Sequence, residues 1–107
     1  MRPVVVVLFV WIVLASPAPA EPMPSLDAAL ETANTAGKPL VLMFTATWCI
    51  PCHELERLAL PDPDVVQRLR DVHFVRYDID TPIGGALAAR FGVSGIPTFV
   101  VVAADGS

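Results

Sequence analysis

The chain reads as an α/β domain in which short buried strands alternate with helices, and three observations carry that reading. Apolar runs rich in branched residues recur at residues 40–44, 73–79 and 99–102, each too short for a stable helix of its own. The stretches between them carry apolar residues at helical spacing, opened by Ser, Asp or Thr and in two cases closed by Gly. A pair of thiols, Cys49 and Cys52, falls where the first strand hands over to a helix. Strands separated by helices predict parallel pairing through right-handed crossovers.

At 107 residues the chain holds one domain at most. Its N-terminus reads as a signal peptide over residues 1–20. Arg2 supplies the positive end, residues 4–15 are uninterruptedly apolar, and Ala18-Pro19-Ala20 is an A-x-A cleavage site. The apolar run is shorter than the roughly 20 residues a spanning helix needs, so export with cleavage is favoured over an uncleaved anchor. Residues 21–107 then form the folded domain. The net charge of −4 becomes one unit more negative without Arg2, and Lys38 is the single lysine. A surface with no basic run excludes nucleic acid as a partner class.

Taken in order, Ser25 caps a first helix whose stripe is Leu26, Ala29, Leu30 and Ala33, with Gly37 as its stop. Lys38-Pro39 leads into the strand 40–44. The chain breaks at Thr45-Ala46-Thr47, presents Trp48 and Cys49, and enters a helix running to about Leu60. Pro51 is tolerated in its first turn, where a missing N–H costs nothing. Asp62-Pro63 opens another helix with Val65, Val66 and Leu69 as its apolar side, and HFVRYDI over 73–79 is the second strand. Thr81-Pro82 opens a helix with Ile83, Leu87 and Phe91 on one face, closed by Gly92. A third strand at 99–102 follows, and Asp105-Gly106 signals a hairpin turn.

Cys49 at a helix start meets unpaired N–H groups and the positive end of the dipole, which favours its thiolate. Cys52 lies one turn in, on the face of Leu55 and Ala59, and so points inward. An exposed nucleophile with a shielded partner one turn away suits thiol–disulfide exchange, Cys49 attacking and Cys52 resolving. A structural crosslink is disfavoured because so short a loop adds little stability. Zinc would need two further ligands, with only His53 and His73 as histidines. The rival is Cys49-Ile50-Pro51-Cys52-His53, which is also a C-x-x-C-H haem-attachment motif, with His53 as axial ligand. Its weakness is that every methionine precedes the motif and His73 lies in a predicted strand.

Trp48-Cys49-Ile50-Pro51-Cys52 together with Gly95-Ile96-Pro97-Thr98 resembles the thioredoxin family, over residue 26 to the end. The resemblance implies a thioredoxin-like fold and thiol:disulfide oxidoreductase activity with no cofactor. Cys49 and Cys52 would be the catalytic pair, forming the redox-active disulfide. A cis peptide would precede Pro97, and Trp48, Gly95, Ile96 and Pro97 would form the substrate platform. Cys52-His53-Glu54-Leu55-Glu56 followed by Pro61-Asp62-Pro63-Asp64-Val65 is similar to the C-terminal periplasmic domain of membrane-embedded thiol:disulfide interchange reductases. Ala46-Thr47-Trp48-Cys49 resembles the membrane-tethered thioredoxins of cytochrome c maturation. Both imply a periplasmic reductase that acts on protein disulfides and is fed by a membrane electron donor. A redox module that only receives electrons from such a donor is the non-catalytic alternative.

Three departures stand out. Met43 occupies the strand position where thioredoxins hold a buried Asp, so the pocket around Cys52 should be dry and its thiolate disfavoured. His53 replaces a common Lys and reads mainly as a solvated surface residue, alongside Glu54 and Glu56 on the wet face. The sequence stops at Ser107, before the last strand and C-terminal helix of the family, so the domain reads as incomplete at its C-terminus, with the apolar strand 99–102 left with an open edge.

Overall fold

The computed structural model describes residues 23–103. The leader at 1–20 and the Asp105-Gly106 turn lie outside the described residues. In chain order the elements are α1 (Leu26–Ala36), β1 (Leu40–Thr45), α2 (Ile50–Glu54), a π-helical turn (Leu55–Ala59), α3 (Pro63–Leu69), β2 (His73–Asp78), α4 (Pro82–Arg90) and β3 (Thr98–Val102).

The helices begin where side chains replace missing helical partners. Ser25 Oγ accepts the Ala28 N–H at 3.1 Å, Asp62 Oδ1 the Asp64 N–H at 2.9 Å, and Thr81 Oγ1 the Gly84 N–H at 3.0 Å. Pro63 and Pro82 stand at the first helical position, as their caps imply. Gly37 ends α1 at φ 66°, in the left-handed region that closes helices.

Among the described residues the sheet has three strands in the order β2-β1-β3. β1 pairs with β2 in parallel, Leu40 opposite His73 and Thr45 opposite Asp78. Its pairing with β3 is antiparallel, Phe44 opposite Thr98 and Leu40 opposite Val102, which corrects the expected all-parallel sheet. The reason is where the chain goes after β2. α4 starts against the end of β2, its Thr81 hydroxyl bonded to the Asp78 carbonyl at 2.6 Å. The loop after α4 places Ile96 against the cluster of Met43, Ala46, Cys49 and Cys52, at that same end of β1. β3 therefore has to run back along β1.

Being central, β1 buries both faces. Leu40, Leu42 and Phe44 point into the larger core with Leu26, Ala29 and Ala33 of α1, Tyr77 of β2, Leu87 and Ala88 of α4, and Val102. Phe44 stacks on Tyr77 with ring centroids 6.1 Å apart and meets Phe91 at 6.5 Å. Each such side chain stabilises the fold by about 1.5–3 kcal/mol through burial alone. Met43 points the other way, into a smaller cluster with Ala46, Cys49 and Cys52, flanked by Leu55, Leu60 and Phe74.

Three expected inward positions shift. Leu60 rather than Ala59 packs on the cysteine cluster. The Leu60 N–H bonds to the Leu55 carbonyl five residues back, at 3.0 Å, and this wide turn delays the inward face by one residue. On α4, Ile83 is exposed, and Gly84 and Ala88 line the buried face with Leu87. Gly84 lies so close to β2 that a Cβ there would collide with the Asp78 carbonyl. On α3, Val66 faces solvent while Val65 and Leu69 are half-buried.

Candidate redox site

The site is built at the C-terminal end of β1, where the chain leaves the sheet and turns into α2. The Cys49 N–H bonds to the Ala46 carbonyl at 3.1 Å, closing a tight turn that puts Cys49 at the cap of α2. Its Sγ does the work a Ser or Asp oxygen does elsewhere, accepting the Cys52 N–H at 3.2 Å. Cys49 and Cys52 are joined in a disulfide, with Cα atoms 5.2 Å apart.

The sequence predicts an exposed Cys49, but it is 3% accessible as a residue, against 0% for Cys52. Bonded to Cys52, it is buried in one cluster with Met43 and Ala46, against which Ile96 packs. What is exposed lies on either side: Trp48 at 63% and Ile50 at 70%. Met43 is fully buried in one cluster with both cysteines, and no polar or charged residue is buried among the described residues. The pocket is dry in that sense, with the Arg76 guanidinium standing at its flank, 5.7 Å from the Phe74 ring centroid.

The loop 93–97 approaches from the other side. The Ile96–Pro97 peptide bond is cis, and the Thr98 hydroxyl donates to the Gly95 carbonyl. Ile96 packs on both the cysteine cluster and the main core. Between this loop and Trp48 runs a cleft of about 330 Å³ lined by Trp48, Ile79, Ala88, Val93 and Ser94 together with Gly95 and Ile96. The structure thus brings Trp48, Gly95 and Ile96 together in one cleft, while Pro97 is half-buried outside its lining.

Sequence reasoning missed two contacts here. The Trp48 indole Nε1–H donates to Asp80 Oδ2 at 2.8 Å, although Asp80 had no assigned part. His53 is exposed, as its sequence position suggests, and its Nε2 lies 2.6 Å from the Thr47 carbonyl, within hydrogen-bonding distance. An acidic residue just before the Thr81-Pro82 cap was the available signal for the first. No sequence signal marks the second. Glu54 faces water as expected, whereas Glu56 is half-buried and pairs with Arg76 of β2 at 3.6 Å. Among the described residues no three metal-ligating side chains gather in one place.

Comparison with known proteins agrees with this geometry. A family model described as a thioredoxin-like domain matches residues 26–107. The chain belongs to the thioredoxin-like family. It is 39% identical to the thiol:disulfide interchange protein DsbD 1 of Pseudomonas aeruginosa, over 90% of this chain but only 16% of that protein. DsbD of Neisseria meningitidis is likewise 39% identical, over 78% of this chain and 14% of that protein. The chain thus spans about a sixth of the length of the curated relatives it matches. Among solved structures, the reduced C-terminal domain of N. meningitidis DsbD is 38% identical with a TM-score of 0.64, covering 77% of this chain and 75% of that one. DsbH oxidoreductase is 26% identical with a TM-score of 0.67, covering 80% of this chain and 67% of that one.

Proposed function

We propose that this thioredoxin-like domain is an extracytoplasmic thiol–disulfide oxidoreductase that reduces protein disulfides. The observation that carries the proposal is the Cys49–Cys52 disulfide at the start of a helix, with the Cys52 N–H on the Cys49 sulfur and an apolar cleft alongside. In the reduced form that N–H and the helix start favour a thiolate at Cys49. The thiolate attacks one sulfur of a substrate disulfide, forming a mixed disulfide and releasing the other substrate sulfur as a thiolate that takes up a proton. Cys52, once deprotonated, attacks Cys49 Sγ, and the second substrate thiol leaves. The product is the oxidised state of this structure. A donor dithiol must then return two electrons.

Trp48 and the Gly95-Ile96-Pro97 loop are assigned as the substrate platform, because Trp48, Gly95 and Ile96 line one cleft and Ile96 also packs on the cysteine cluster. The protein is placed in the periplasm, exported by a cleaved leader at residues 1–20 with 21–107 as the thioredoxin-like domain. Its electron donor is placed in the membrane. The composition of residues 1–20 supports export, and the likeness to thiol:disulfide interchange proteins supports a partner that exchanges disulfides with this domain. The second reading, haem attachment through Cys49-x-x-Cys52-His53, would require the disulfide to be reduced and His53 Nε2 to leave the Thr47 carbonyl.

The test is the equilibrium redox potential of the pair against glutathione, with an absorbance scan of the same sample. A potential near that of thioredoxin, about −270 mV, supports a reductase; one near −120 mV makes the protein a disulfide donor. A covalent haem band would refute both.

A further inference from the structure

We infer that Met23 is an oxidation site, where a peroxide converts the thioether to its sulfoxide and loosens a clasp between the start of the domain and the turn after β2. The inference stands apart from the oxidoreductase reading, since this sulfur takes no part in disulfide exchange.

β2 is an edge strand of the described sheet. The Ile79 N–H bonds back to the Thr45 carbonyl of β1 at 3.0 Å, so the neighbouring Asp78 N–H points away from the sheet. Met23 supplies its acceptor: the Asp78 N–H donates to the thioether Sδ at 3.4 Å, across 55 residues of sequence. Thr81 Oγ1 stands 3.7 Å from the same sulfur, but its proton is already committed to the Asp78 carbonyl. The Asp78 N–H is thus the donor that depends on Met23. One residue on, the Pro24 carbonyl accepts the Tyr77 hydroxyl at 2.8 Å, so two consecutive residues fasten this segment to β2. Met23 also packs against the larger core, and Ile79 of the clasped turn lines the cleft beside the cysteine pair. The two described methionines differ in access. Met43 is 0% accessible, whereas Met23 is half-buried, so a peroxide reaches Met23 first. The sulfur takes one oxygen and is oxidised to the sulfoxide; the peroxide O–O bond breaks and the remainder leaves as water. The product is bulkier and polar, and disrupts the apolar contact. A dithiol that reduces Cys49–Cys52 leaves the sulfoxide in place, and only a methionine sulfoxide reductase reverses it.

The experiment uses the full chain in its disulfide form, so that no thiol competes for the oxidant. Hydrogen peroxide is added, and residue-resolved mass spectrometry follows the gain of one oxygen at Met23 and at Met43. Met23 is expected to take up oxygen well before Met43. In the Met23 sulfoxide, amide hydrogen exchange at Asp78 should rise about two- to tenfold, the loss of one ordinary hydrogen bond. The two epimer-specific sulfoxide reductases, followed by reoxidation of the cysteine pair, should return it to the starting rate. Met23→Leu keeps the apolar contact but has no sulfur to oxidise, so peroxide should leave its Asp78 exchange unchanged. Should that variant fail to fold, the reversal by the reductases carries the comparison alone. Oxygen uptake at Met43 no slower than at Met23, or Asp78 exchange unmoved in the sulfoxide, overturns the inference. So does a peroxide effect on Asp78 that persists in Met23→Leu or that the reductases do not reverse.

Discussion

On one side of β1, Leu40, Leu42 and Phe44 meet two helices and an aromatic stack; on the other, Met43 meets two cysteines, an alanine and the flank of a short helical segment. The first side contains no sulfur among its buried residues, while in the second three of the four buried residues carry it. Helical cover differs as well. α1 and α4 lie over the larger core, whereas Phe99 and Val101 on the cysteine side of β3 remain 44% and 66% exposed. The difference separates two tasks. One face supplies most of the folding free energy, and the other uses part of its burial to cover a reactive bond at the C-terminal end of the central strand. Substitutions on the two faces should therefore fail in different ways.

The largest effect belongs to the thin face. Cys49→Ala is expected to lower disulfide turnover at least about a thousandfold, as removal of a nucleophile does. It should leave the unfolding midpoint close to that of the reduced wild type. Turnover and urea unfolding on the same sample check both parts, and residual exchange would mean that Cys52 can act alone. Next comes Phe44→Ala on the thick face. It deletes a fully buried ring that contacts both Tyr77 and Phe91, and should cost about 3–5 kcal/mol of stability. Activity per folded molecule should hold. A loss of activity without a loss of stability would break the division between the faces.

Gly84→Ala tests the thick face at its seam between α4 and β2. The added methyl must displace either the Asp78 carbonyl or the helix, and overpacking of this kind costs about 1–3 kcal/mol. As on the rest of the thick face, activity per folded molecule should hold, read as the rate on insulin at a temperature where the variant is folded. A stable, fully active variant would show that the seam yields without strain.

Most of this arrangement was legible in the sequence where short-range chemistry dictates it. Ser25, Asp62 and Thr81 announced the helix starts, and Gly37 announced the end of α1, because a cap needs only its own few residues. Met43 between Leu42 and Phe44 announced a strand with two buried faces, and Trp48-Cys49-Ile50-Pro51-Cys52 with Gly95-Ile96-Pro97 announced the redox site. What was not legible depends on distance or on a break in period. The antiparallel β3 follows from where α4 leaves the chain, a tertiary fact. The wide turn at Leu55–Ala59 changes the inward residue from Ala59 to Leu60 with no Gly or Pro to mark it. Asp80 and Trp48 find each other only once β1 and β2 lie side by side.

A smaller effect sharpens the chemistry of the thin face. In the reduced protein Cys52 sits at 0% accessibility among Met43, Leu55 and other apolar groups, and such surroundings disfavour its thiolate. Its alkylation should therefore begin only above the free-thiol pKa of about 8.5, and later in pH than that of Cys49. Reaction at lower pH would mean that a charge or ordered water reaches the pocket.

The smallest effect returns to the thick face, at Tyr77. Its ring is fully buried and its hydroxyl donates to the Pro24 carbonyl at 2.8 Å, fastening the start of the domain to β2. Burial pushes the Tyr77 hydroxyl above its ordinary value of 10.0. The sign of the consequence is fixed by proton counting. Above pH 10.0 the unfolded chain releases the Tyr77 proton while the folded chain still holds it, so the folded state binds more protons and stability falls as pH rises. Below that pH the contribution is complete. Tyr77→Phe should cost about 0.5–1.5 kcal/mol at neutral pH through the lost hydrogen bond. It should also remove the part of the alkaline decline that Tyr77 contributes, so wild type and variant draw together as the pH passes 10.0. Urea unfolding of both proteins at neutral pH and above pH 10.0 reads the difference directly. A gap that stays constant would place the alkaline decline in other groups. Because Tyr77 lies on the face away from the cysteines, its loss should leave the redox potential unchanged, and a shift in potential would mean that the two faces are coupled through β1.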